Sequence, residues 1–99
     1  MPARNVRLEA TLLSDSTPVP GKTICFYHRV TGETQWILDG DDDTDQNGVA
    51  TLTVQLTVPQ TYDFKAEFEG DEDYEASVAT VLGYRVKAKT SLTLTVTPL

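Results

Sequence analysis

The sequence predicts an all-β fold: an antiparallel β-sandwich of about seven strands, with no helix. Three observations carry this prediction. There are 15 Thr and 10 Val among 99 residues, and β-branched residues favour the pleated surface of a sheet. Apolar and polar residues alternate with a period of two in short runs, which polar turns separate. No apolar stripe follows the spacing of a helix.

Three strands are predicted in the N-terminal half. Residues 6–13 alternate regularly, and the stretch 14–21, which contains two Pro and a Gly, ends the strand. Residues 22–30 form the second strand, which the Thr-Gly pair at 31–32 ends. The core-facing residues of this strand are Ile24, Phe26, His28 and Val30. A third strand is predicted over residues 33–38.

Four further strands are predicted in the C-terminal half. Residues 50–57 alternate most regularly, and Pro-Gln at 59–60 ends that strand. Residues 62–69 direct their apolar side chains inward, and strands over 77–86 and 91–96 complete the set. Because each run leaves one face polar, the pattern favours two sheets on a shared core, with a small barrel as the alternative.

Length and charge limit the organisation of the chain and its partners. A chain of 99 residues has the size of one domain, so residues 1–99 are predicted to form a single domain. Asp and Glu number 15 against 8 Lys and Arg, a net charge of −7, which argues against nucleic acid as a partner. No apolar run reaches the roughly 18 residues of a membrane-spanning helix, so no direct membrane insertion is expected.

Catalysis is not expected, because the residue types that it needs do not converge. Cys25 and His28 are three positions apart in a predicted strand, so their side chains point to opposite faces. A single Cys excludes an internal disulfide. The serines lack the glycine-flanked elbow of a nucleophile. We therefore expect neither an enzyme nor a bound cofactor.

The acidic segment at 39–48 is the strongest candidate for a site. It matches the first half of an EF-hand loop, but Val54 stands where the bidentate Glu belongs. Another kind of Ca²⁺ site remains a hypothesis, with the candidate ligands Asp39, Asp41, Asp43, Asp45 and Asn47. The alternative is a solvated turn, in which Asp45 accepts a backbone N–H and the Asn-Gly pair at 47–48 adopts positive φ. The acidic run at 67–75 has the same two interpretations.

Three stretches in series resemble the signature segments of a known family. They are a Pro-Val-Pro-Gly turn and strand at 18–26, a Thr-Asp-Gln-Asn-Gly turn at 44–52, and a strand with a Gly-Asp turn at 61–77. Together they cover about residues 5–86. They are similar to prokaryotic immunoglobulin-like repeat domains of cell-surface proteins, including invasin- and intimin-like adhesins. Tyr74 is then expected to donate its hydroxyl to a backbone group, as in a tyrosine corner.

The resemblance implies a non-catalytic structural module of a larger prokaryotic surface or secreted protein, located outside the cell or on its surface. Such a module spaces or presents other domains in an array, and its partners are the neighbouring domains of the parent protein. The alternative is an adhesin-like module that binds a surface protein or a glycan, with or without calcium. The candidate stacking residues for a glycan are Tyr27, Trp36 and Tyr84.

Residues 88–99 form an extra segment or an edge strand. The segment 90–98 resembles the first strand of such a repeat, yet here it follows the last strand. The chain is cut one strand out of phase with the repeat, or the segment covers the open edge of its own domain, or it pairs with a neighbouring molecule. The second interpretation is preferred, because an exposed apolar strand favours aggregation. The basic residues before it, which could meet the acidic turns of a neighbouring copy, are Arg85, Lys87 and Lys89.

Overall fold

The computed structural model describes residues 2–99, which contain eight β-strands and no helix. The strands are β1 (Ala3–Thr11), β2 (Leu13–Ser14), β3 (Thr17–Pro18), β4 (Thr23–Val30), β5 (Ile37–Asp43), β6 (Val49–Thr57), β7 (Gln60–Phe68) and β8 (Ser77–Val86). Without a helix, the described residues also hold no helical segment that could cross a membrane.

All strand pairs are antiparallel, and they build two main sheets. One sheet contains β1 and β6, the other has the order β5–β4–β7–β8, and β2 and β3 form a short separate hairpin. The two main sheets enclose the core between them. The predicted all-β sandwich is therefore confirmed.

The core consists of two adjoining clusters of buried side chains. The first cluster contains Val54, Leu56, Val58, Tyr62, Phe64 and Val86. The second cluster contains Ile24, Phe26, Ala50 and Phe68. Leu8 and Leu52 pack against both clusters, so the core is continuous along the sandwich. The alternation predicted for β4, β6 and β7 thus accounts for the buried apolar residues of these strands.

The third strand lies further along the chain than the sequence predicts. It is expected over 33–38, whereas β5 spans Ile37–Asp43 and so includes half of the acidic segment. Asp has a low propensity for strands, but β4 lies inside the four-stranded sheet and offers β5 a full ladder of backbone partners. The register shifts because Leu38 pairs with Tyr27 and Gly40 with Phe26, which leaves Asp39 in a bulge.

The structure shows no strand at 91–96, where the sequence predicts the last one. Residues 87–99 lie outside all strands, and Leu92, Leu94 and Val96 are 100%, 87% and 83% exposed. To cover the free edge of β8, the chain would have to reverse its direction at once. The residues available for that turn, Lys-Ala-Lys-Thr at 87–90, include none of the types that favour tight turns. The segment therefore extends away from the body.

Candidate functional site

The acidic loops meet at one end of the sandwich, where β1 ends. Leu12 N donates to Gly48 O at 2.7 Å, and Gly21 N donates to Thr44 O at 2.8 Å. The buried Thr44 hydroxyl donates to Val19 O at 2.7 Å and accepts Lys22 N–H at 2.9 Å. We call residues 43–48 and 69–75 the acidic pole. It carries seven of the fifteen acidic residues.

The turn at 44–48 is held by the Asp45 side chain. Asp45 Oδ1 accepts the backbone N–H groups of Asn47 at 2.8 Å and Val49 at 3.0 Å. The predicted hydrogen bond from a backbone N–H to Asp45 is therefore confirmed. Gly48 alone of the Asn-Gly pair has positive φ, at 76°. A Cβ at Gly48 would lie 2.5 Å from Leu12 O, so glycine is required here both by φ and by the close approach of the backbone.

Two of the three candidate Ca²⁺ ligands in β5 already have side-chain hydrogen-bond partners. Both carboxylate oxygens of Asp39 lie near His28 Nδ1, at 2.7 and 2.9 Å. Asp43 Oδ1 accepts the Thr23 hydroxyl at 2.8 Å. Asp41 pairs in register with Cys25, and Asp45 belongs to the turn described above.

These five candidates do not come together around one point. Among residues 2–99, no group of three or more His, Cys, Asp or Glu side chains could hold a metal ion. The candidates are spread along β5 and the turn after it, and Asp42 between them accepts Thr51 N–H at 2.8 Å. The calcium hypothesis therefore stays a prediction for a titration to test.

The second acidic turn is joined to the rest of the pole by Lys22. Asp71 Oδ1 accepts the N–H groups of Asp73 and Tyr74, each at 2.9 Å, and Asp71 Oδ2 accepts Lys22 Nζ at 2.5 Å. The Lys22 ammonium is the main cause that lowers the pKa of Asp71, and Asp71 in turn raises the pKa of Lys22. This turn is thus pinned in the same manner as the first.

The tyrosine with the backbone hydrogen bond is Tyr62 and not Tyr74. Tyr62 Oη donates to Thr57 O at 2.6 Å, and burial raises the pKa of its hydroxyl. The Tyr74 ring packs on the second core cluster, beneath the Lys22 ammonium at 5.4 Å from the ring centre. No hydroxyl–backbone bond of Tyr74 is found among the described residues. Through its hydrogen bond to Thr57 O, Tyr62 links β7 to the last residue of β6, the strand that precedes β7 in the chain.

The most buried carboxylate belongs to Asp63, which alternation places on the solvent face. Its side chain accepts Arg29 Nε at 2.8 Å, the Thr31 hydroxyl at 2.7 Å and Gly83 N–H at 2.9 Å. These three donors, led by Arg29, lower the pKa of Asp63 below its usual value of 3.8. Asp63 lies where the β7–β8 register shifts. Only the register, which sets Arg29 opposite Asp63, could have revealed this cluster.

Two of the three candidate stacking residues lie on the outer face of the four-stranded sheet. The Arg29 guanidinium is 4.0 Å from the centre of the Trp36 ring, and Lys65 Nζ is 4.4 Å from that of Tyr27. Tyr84 faces the other side of the sheet, where its ring meets Phe64 edge-on at 6.2 Å. The structure therefore does not assemble the three aromatic side chains into one surface.

Cys25 and His28 do not approach each other as a catalytic pair. Burial, followed by the charge of Asp41, raises the pKa of the Cys25 thiol, which keeps it protonated at neutral pH. His28 is half-buried, and its ring meets Tyr62 edge-on at 5.6 Å. Both side chains have structural neighbours that account for their positions.

No family model, no curated protein and no solved structure matches the chain. The resemblance to immunoglobulin-like repeats therefore stays a prediction from the three signature stretches.

Proposed function

We propose that the chain is a non-catalytic structural module that spaces or presents neighbouring domains of a larger prokaryotic surface or secreted protein. The observation that carries the proposal is that polar side chains hold the loops of this fold in place through hydrogen bonds to the backbone. Asp45 and Asp71 each bond the backbone of their own turn in the acidic pole, and Thr44 bonds the backbone of the neighbouring loop at Val19 and Lys22. Rigid connections between strands suit a body that transmits force and holds a distance.

The four-stranded sheet is braced in the same way. Asp63 joins β4, β7 and β8 through Arg29 and Gly83, and no buried side-chain polar atom among residues 2–99 lacks a hydrogen-bond partner. A buried polar network with every member satisfied makes a fold rigid and specific. An immunoglobulin-like strand arrangement is part of this proposal, and the three signature stretches support it.

Glycan or protein binding has less support as a function. A sugar that stacks on Trp36 would compete with Arg29 for a face of the ring, and Arg29 is also held by Asp63. Removing Arg29 from the ring would disturb the Asp63 cluster. The spacer function requires no such rearrangement.

Single-molecule force spectroscopy on several copies joined in tandem tests the proposal. A spacer should give a regular series of unfolding peaks, each releasing roughly 290 Å for residues Ala3–Val86 at about 3.4 Å per residue, less the folded length. Gly48→Ala should lower the peak force because it disrupts the acidic pole, whereas the control Gly21→Ala, with no atom within 4 Å of the added Cβ, should have a smaller effect. Extension without peaks would contradict a load-transmitting role.

A further inference from the structure

One long edge of the sandwich is open. Among residues 2–99, β1 pairs only with β6 and β8 pairs only with β7, and a groove of about 420 Å³ lies between β1 and β8. Its apolar walls are formed by Val6, Leu8 and Ala10 of β1 and by Ala79, Val81 and Tyr84 of β8. Val81 and Tyr84 are each 54% exposed. Unpaired backbone beside an apolar groove is the kind of edge to which a further strand adds.

The C-terminal segment has the alternating pattern of a strand that could pair with this edge. Leu92, Leu94 and Val96 alternate with Thr and are almost fully exposed. In a strand, their side chains would point to one face and span about 14 Å. Val6, Leu8 and Ala10 have the same spacing along β1. Three apolar side chains on the segment can therefore face three on the wall of the groove.

Charge selects the direction in which the segment would lie. Beside the start of β1, the residues Arg4, Arg7, Arg85 and Lys87 line one depression at the end opposite the acidic pole. Lys87 and Lys89 precede the apolar segment, so a segment antiparallel to β1 brings both lysines to the acidic pole of the body that receives it. The reverse direction would place them beside Arg4 and Arg7. Antiparallel pairing is also the more stable kind.

The segment cannot take this direction in its own body. β8 ends where β1 begins, because Arg4 Nη1 donates to Lys87 O at 3.2 Å. A segment that folds back from there would run parallel to β1, and it would need a tight turn that residues 87–90 do not favour. A segment from a second copy can instead approach from the acidic pole.

We propose that residues 91–96 of one copy add as a strand to β1 of a second copy of this chain, antiparallel to β1. The added strand buries Leu92, Leu94 and Val96 in the groove, with Leu94 opposite Leu8. Because the donated segment and the receiving groove are different surfaces, the assembly is head-to-tail and can extend as a linear chain. The inference rests on the open edge and the exposed segment, and it does not depend on the proposed spacer function.

The mass of the full chain in solution, measured over a range of concentrations by sedimentation, is the first test. We expect reversible, concentration-dependent association. L92S/L94S should weaken it by at least about a hundredfold, because each Leu loses its burial. The control I37S/L38S removes two exposed apolar residues of β5, which are 54% and 59% exposed, and should associate like the wild type.

Mixing two variants tests the head-to-tail geometry. Val81→Asp puts a charge in the groove at an exposed position, so this variant keeps its segment but should not receive one. L92S/L94S keeps its groove but has no segment to donate. Each variant alone should be monomeric, whereas a mixture of the two should form a heterodimer of one copy each. K87E/K89E should weaken association, because the acidic pole would then repel the donor.

Three results would overturn the proposal. The first is a wild-type chain that stays monomeric at all concentrations. This result would overturn the proposal whether hydrogen exchange shows the amides of 91–96 to be unprotected or protected by folding back onto their own body. The second is association that I37S/L38S abolishes to the same degree as L92S/L94S. The third is a mixture of the two complementary variants that forms no heterodimer while wild-type association persists, which would place the contact elsewhere. Circular dichroism of each variant confirms that the sandwich is intact.

Discussion

Replacing Gly48 with Ala tests how closely the backbone is packed at the acidic pole. Gly48 has φ of 76° and Gly21 has φ of 73°, so Ala is equally unfavourable at both positions as far as backbone conformation is concerned. The surroundings differ, because a Cβ at Gly48 would lie 2.5 Å from Leu12 O, whereas a Cβ at Gly21 meets nothing within 4 Å. The pair of variants therefore separates backbone strain from close approach.

The structure gives the size of each effect. The left-handed backbone costs a non-glycine residue about 1–2 kcal/mol at either position. At Gly48 the added Cβ also forces Leu12 away, and two hydrogen bonds depend on Leu12, namely Leu12 N to Gly48 O and Val19 N to Leu12 O. At about 1 kcal/mol net for each bond, Gly48→Ala should lower the free energy of unfolding by about 3–4 kcal/mol, and Gly21→Ala by about 1–2 kcal/mol.

Urea unfolding followed by the fluorescence of Trp36, the single Trp, measures both values. If the free energy of unfolding falls with urea concentration at the same slope in both variants, the difference between them reflects the stability of the folded state. Equal losses of stability in the two variants would refute the reasoning, because the contact with Leu12 would then contribute nothing.

Three further predictions concern single side chains and the acidic segment. Tyr62→Phe should cost about 1 kcal/mol in thermal or urea unfolding because the bond to Thr57 O is lost, whereas Tyr74→Phe should cost less; an equal cost would contradict the assignment. The lowered pKa of Asp63 means that its contribution to stability is complete above pH 3.8 and is lost as the pH falls through the lower folded-state pKa. Asp63→Asn should therefore destabilise the chain at neutral pH and flatten the acid limb of its stability curve, and an unchanged acid limb would argue against this role. The calcium hypothesis predicts that millimolar Ca²⁺ shifts the amide resonances of residues 39–48 and raises the melting temperature; spectra identical to those in EDTA would contradict it.

Period-two alternation was sufficient to predict most of the sandwich. It located β1, β4, β6 and β7 because a strand with one buried face must place its apolar residues at every second position. The strand predicted at 77–86 is also present as β8, although nine of its ten residues are exposed. The alternation failed at β5, where four Asp residues hide the pattern of a strand that β4 stabilises through backbone hydrogen bonds. Backbone pairing does not depend on side-chain polarity, so composition alone could not reveal it.

The candidate site shows the same difference between what could and what could not be predicted from the sequence. The Asp45 turn was predictable because its hydrogen bond is local, spanning two residues. The Asp63 cluster was not, because its partners lie 20 to 34 residues away in the chain. The tyrosine was assigned to the wrong position, since both Tyr62 and Tyr74 stand beside turns and only the packed sheets determine which hydroxyl reaches a carbonyl.

The sequence by itself determined the class of fold, the residues of the core and the local turns, because these depend on periodicity and on interactions between near neighbours. The tertiary structure alone decided which strand edge stays open, which carboxylate is buried and where the oppositely charged ends lie. Those features arise from the register and order of strands that are distant in the chain, and pairing between distant segments leaves no periodic signal in either one.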